Sequence, residues 1–114
     1  MRLTDPWFEA YFITDAGEGR AAGRRRKHVE TLAEAQGVVL FCPCAFNKVE
    51  GAHGLMVPFT NAPEHNFGVV ARDRITRPKW TATGTGLHDL TLNPSVDVGT
   101  PSCWHGWIHG GEVT

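Results

Sequence analysis

Two short chelating pairs, Cys42-Pro43-Cys44 and Cys103-Trp104-His105, constrain this chain more than any other feature of its sequence. About half the chain lies between them, and each pair encloses one residue. Three thiolates and an imidazole are the soft donors that tetrahedral zinc takes, at ~2.3 Å for sulfur and ~2.0 Å for nitrogen. Each pair also abuts an apolar run. Val38-Val39-Leu40-Phe41 leads into Cys42, and Gly106-Trp107-Ile108-His109 leaves His105. Alternate residues of an extended chain share a face, so Cys103 and His105 are expected to point the same way. Pro43 preorganises the sharper turn that lets Cys42 and Cys44 share an ion. The expected site is a structural Zn2+ on Cys42, Cys44, Cys103 and His105. His53 or His109 stand as replacements for His105; His109 ranks lower because it lies beyond easy strand alternation with Cys103. The competing reading makes the cysteines small buried hydrophobes and leaves His105 facing water.

Three cysteines are an odd number, which suits a secreted disulfide framework poorly, and one proline between Cys42 and Cys44 disfavours a bond between them. The first residues, Met1-Arg2-Leu3-Thr4-Asp5-Pro6, lack the basic head and apolar core of a secretory signal. No apolar stretch approaches the ~20 residues of a bilayer span. A soluble protein of a reducing cytoplasm is therefore expected. At 114 residues the chain is read as one domain, residues 1–114, small enough to gain from a metal staple. Its formal net charge of -1 gives no argument for nucleic acid or an anionic membrane.

The predicted fold is mainly β within the α+β class: a small antiparallel sheet domain with one short helix, stapled by a zinc knuckle. Strands are expected over residues 7–13, 38–41, 54–59, 79–83 and 89–92, with a further short one at 67–71 and a last one leaving His105. Thr31-Leu32-Ala33-Glu34 matches a capping box and predicts a helix ending near Gln36, with Gly37 as its stop. Gly110-Gly111 predicts a hairpin turn.

A metal shell filled by three thiolates and a histidine leaves no open position, so the zinc is expected to hold the fold rather than to catalyse. His88-Asp89 has the makings of an acid–base pair, but adjacent strand residues face opposite ways, and a polar turn with the Asp bonding backbone amides is the plainer reading. Thr83-Gly84-Thr85-Gly86 lacks the strand-to-helix context of a nucleotide loop. Arg20, Arg24, Arg25, Arg26, Lys27 and His28 form the one marked charge cluster, expected as a solvated loop and, as a lesser option, an anion-binding strip. Trp80, Trp104 and Trp107 are expected to build core around the metal.

Ala33-Glu34-Ala35-Gln36-Gly37, the strand into Cys42-Pro43-Cys44, Thr83-Gly84-Thr85-Gly86-Leu87, the run Asp89-Leu90-Thr91-Leu92-Asn93-Pro94-Ser95-Val96 and Cys103-Trp104-His105-Gly106-Trp107-Ile108 occur in this order. Together they resemble a family of small zinc-binding proteins of tailed phages and prophages, whose members often carry the label ammonia monooxygenase. The resemblance spans about residues 30 to 113 and implies the same four zinc ligands, although many members space each pair more widely. It implies a phage-encoded protein of the host cytoplasm or the virion that acts by binding a phage or host protein, in particle assembly or against a host system. It implies no reaction. The rival readings are a zinc-dependent hydrolase with an open metal position and His88, Asp89 or His109 as proton carriers, and a nucleic-acid binder using Arg20 to Lys27.

Overall fold

The computed structural model describes residues 1–43, 54–64, 79–97 and 104–114. Alternating burial builds its first sheet. Strands β1 (Tyr11–Asp15), β2 (Arg26–Val29), β3 (Gly37–Phe41) and β4 (Gly54–Pro58) pair antiparallel in the order β2-β1-β3-β4. Val29, Phe12, Val38 and Val57 are successive cross-strand partners, so one apolar row runs across all four strands into the main core. Their neighbours Ile13, Val39 and Met56 take the opposite face, where they gather with Ala62. A one-residue slip of any strand would exchange these two sets, which fixes the register. Pro58, which cannot donate to a ladder, ends edge strand β4 as expected.

Three two-stranded ribbons complete the described chain. β5 (Thr81–Thr83) pairs with β6 (Thr91–Asn93), β7 (Val96–Asp97) with β8 (His105–Gly106), and β9 (Ile108–His109) with β10 (Glu112–Val113). Gly110 and Gly111 turn β9 into β10 at φ 55° and 80°, the left-handed conformations a tight hairpin demands. Leu90, Leu92, Val96, Ile108 and Val113 are each buried and join the core of the first sheet. The parallel bridge between Phe59 and Trp80 fastens the ribbons to β4.

A small, mainly β, antiparallel architecture is thus what the chain forms, with three departures from expectation. Pro6–Phe8 is a 3-10 turn rather than strand, since proline at its first position favours the turn, and the strand starts only at Tyr11. The expected helix is a single 3-10 turn, Leu32–Glu34. Thr31 Oγ1 donates to Glu34 Oε1 at 2.7 Å, so the two side chains bond each other rather than the end amides of a helix. Gly37 opens β3 instead of closing a helix. Three residues of the basic cluster, Arg26, Lys27 and His28, form β2 with Val29, drawn into the sheet by pairing with β1 and by burial of Val29 against the core. The expected strand at 67–71 lies outside the described residues.

Candidate active site

Leu92 and Val96 are both buried, and the chain between them turns through a cis Asn93–Pro94 peptide and exposes part of Ser95. Two anchors flank the turn, so the serine rides on a short bridge between fixed points. A third hold comes from beneath. The indole Nε1 of buried Trp80 donates to the Ser95 carbonyl at 3.0 Å. Trp80 is itself fastened at both backbone groups, its N–H to the Pro58 carbonyl and its carbonyl to the Thr60 N–H, each at 3.0 Å.

The hydroxyl Oγ of Ser95 lies 2.8 Å from Nε2 of His105. The ribbon register explains the meeting. Val96 opposes Gly106 and Asp97 opposes His105 in the antiparallel β7–β8 pair, so Ser95 is the diagonal neighbour of His105 across the ribbon. His105 is exposed, whereas Gly106 beneath it is buried. A side chain at 106 would collide with the Trp104 ring and the Thr114 carbonyl, so the backbone there has no room to shift inward. A serine hydroxyl within hydrogen-bond reach of an imidazole nitrogen is the arrangement that activates a serine nucleophile. The chain contains two serines, Ser95 and Ser102, and Ser102 lies outside the described residues.

The expected metal ligands fare differently. Cys42 is fully buried in the main core, and His105 faces Ser95. Cys44, Cys103 and the alternative His53 lie outside the described residues. Among the described residues, no three His, Cys, Asp or Glu side chains gather as a metal site would require. His109 stands exposed on β9, opposite Glu112.

His88 and Asp89 share a turn in which His88 Nε2 lies 3.8 Å from Asp89 Oδ1, and the turn's own donors occupy the carboxylate. The Asp89 carboxylate accepts from the Thr85 and Gly86 amides at 2.9 Å each and from the Thr85 hydroxyl at 2.9 Å. Those bonds, the Thr85 amide foremost, lower its pKa from 3.8 to about 2. Its acceptor sites are taken, which leaves a poor proton carrier. A groove of about 390 Å³ on the outer face of the first sheet is lined by Tyr11, Ile13, Arg26, Lys27 and His28, and none of these belongs to the serine–histidine pair. Of the tryptophans expected in the core, Trp80 is buried and Trp104 is partly buried against the main core cluster, but Trp107 is 49% exposed. Among the described residues, no helix is long and apolar enough to cross a membrane.

The chemistry-bearing residue that sequence reasoning missed is Ser95. It sits in no nucleophile motif; the one available signal was the scarcity of serine, with Ser95 close before the histidine-bearing segment.

A family model described as "Bacterial ubiquitination-like system serine protease (BubE)" matches residues 17–114. No curated protein and no solved structure matches the chain. The family match overturns the resemblance to zinc-binding phage proteins, and with it the phage origin, the virion association and the role as a non-catalytic zinc-stabilised binding protein. Those inferences rested on the spacing of the two pairs and on the resemblance; in the fold the neighbour bonded to His105 Nε2 is the Ser95 hydroxyl.

Proposed function

The chain belongs to the BubE family of bacterial ubiquitination-like system serine proteases, and on that premise we propose that Ser95 is its nucleophile and His105 its general base. The 2.8 Å approach of Ser95 Oγ to His105 Nε2 carries this reading. With the ring proton on Nδ1, Nε2 is free to accept the hydroxyl proton. Ser95 Oγ then attacks the carbonyl carbon of an amide bond, and its proton passes to Nε2. Collapse of the tetrahedral adduct breaks the C–N bond, the amine leaves with the proton from His105, and an ester remains on Ser95. Water, deprotonated by the same nitrogen, attacks that ester and releases the acid, which restores the hydroxyl. The serine proton leaves with the amine in the first half, and water supplies its replacement in the second.

The substrate class follows from the system: a polypeptide partner, either a ubiquitin-like protein or a protein joined to one. A zinc ion on Cys42, Cys44, Cys103 and His105 is the competing proposal for this histidine, since a metal-bound imidazole cannot take the serine proton, and the metal content of the purified protein tests it. For the catalytic reading, the full chain is treated with a fluorophosphonate and the adduct located by mass spectrometry. Modification of Ser95 is expected, lost in Ser95→Ala and slowed by roughly a hundredfold or more in His105→Gln. An adduct on Ser102 alone, or none on a folded protein, would overturn it.

A further inference from the structure

We infer that Trp107 is the wall of an apolar subsite beside Ser95, and that the enzyme takes a polypeptide carrying an aliphatic or aromatic side chain next to the bond it cuts. The inference rests on Ser95 as nucleophile and adds what the nucleophile's neighbour recognises.

Register is the first support. Val96 opposes Gly106 at the end of the β7–β8 ribbon, and Ser95 and Trp107 are the next residues along the two antiparallel chains. Alternate residues of an extended chain share a face, so Trp107 follows His105 to one side. The diagonal bond from Ser95 to His105 marks which face that is. Exposure agrees along the second chain: His105, Trp107 and His109 are exposed, while Gly106 and Ile108 between them are buried. The indole is therefore carried on the side of the ribbon where the imidazole meets the hydroxyl.

The second support is that Trp107 is both exposed and held. It is one of three large hydrophobics exposed among the described residues, at 49%. Its carbonyl accepts from the Thr114 N–H at 3.0 Å, fully buried Ile108 follows it, and Gly106 before it is pressed against the Trp104 ring. An indole carried on fixed backbone loses little freedom when it is covered, and covering it removes apolar area from water. Those are the properties of a binding wall, and an extended peptide laid past Ser95 places a side chain against it.

Two fluorophosphonates, one with an ethyl and one with a phenylbutyl group, separate the possibilities. Each forms an Oγ–P bond on Ser95, expels fluoride and gives the serine proton to His105, so they differ only in what touches the wall. Wild-type protein is expected to react faster with the phenylbutyl probe. Trp107→Ala should lose the phenylbutyl advantage by about tenfold, measured against its own ethyl rate, with Trp107→Phe regaining most of it. If wild type labels at Ser95 but shows no preference, or Trp107→Ala keeps the preference or slows both probes alike, the subsite is refuted and the nucleophile stands. A wild-type protein that labels with neither probe refutes the nucleophile, and the subsite with it.

Discussion

Ser95 is gripped at its carbonyl by Trp80 and at its hydroxyl by His105, and these two bonds act on opposite ends of the same residue. A nucleophile misplaced by a fraction of an ångström loses rate rather than affinity. Trp80→Phe keeps most of the buried ring volume and deletes the indole donor. It is therefore expected to lower kcat by about tenfold, the equivalent of about 1.4 kcal/mol, with KM unchanged. Steady-state kinetics beside a thermal melt checks this, since a purely structural role would move the melt instead. Asp89 supports a different prediction. Bonds from Thr85 and Gly86 hold its folded pKa at about 2, below the ordinary 3.8. A carboxylate depressed in this way stabilises the fold above the unfolded value, and that contribution is lost as pH falls through the folded one. Wild type should therefore lose stability between about pH 4 and pH 2 more steeply than Asp89→Asn, as denaturant midpoints across that range would record.

At the scale of elements, Gln36 joins three segments at the mouth of β3. Its Oε1 accepts from the Thr14 hydroxyl and the Asp15 amide at 2.9 Å each, and its Nε2 donates to the Asn61 carbonyl at 2.9 Å. Gln36→Ala strands these partners and should cost about 1–3 kcal/mol, read from urea unfolding. The same region shows what could be read in advance. Val38 to Phe41 and Gly54 to Pro58 announce themselves as strands because their apolar content is set by burial that any pairing requires. β2 does not, because Arg26, Lys27 and His28 owe their strand form to β1, which local sequence cannot reveal. Thr31 and Glu34 carry a helix signal, but the chain leaves the turn at once to pair: the Gln36 amide bonds Ile13 and its carbonyl accepts from Phe59. His105 drew attention through its spacing from Cys103. Its meeting with Ser95 did not, because that contact runs diagonally across a ribbon whose register the spacing of residues does not encode.

For the whole molecule, the segment before the family-matched region is built into the fold. The match begins at residue 17, yet β1, at Tyr11–Asp15, lies between β2 and β3 and pairs with both. Phe12 sits at the centre of the apolar row that crosses the sheet, and Phe8 and Leu3 are each buried in the same core. The first residues also reach the ribbons on the other side. The Leu3 amide bonds the Gly111 carbonyl at 2.8 Å, and Arg2 bridges to Glu112 on β10. β10 pairs with β9, which follows directly on the residues that carry His105 and Trp107. Removing residues 1–16 thus takes out an internal strand and a brace of the C-terminal hairpin together, exposing the flanks of β2 and β3 and the apolar row between them. The loss of several fully buried side chains, each worth about 2–5 kcal/mol, exceeds what a chain of this size has in hand. A 17–114 fragment is expected to show no cooperative thermal transition and no fluorophosphonate labelling at Ser95. Adding the synthetic 1–16 peptide should restore part of both, because the strand it supplies has two partners waiting for it. A fragment that melts cooperatively and labels like the full chain would show that β1 is an ornament of the sheet and not its centre.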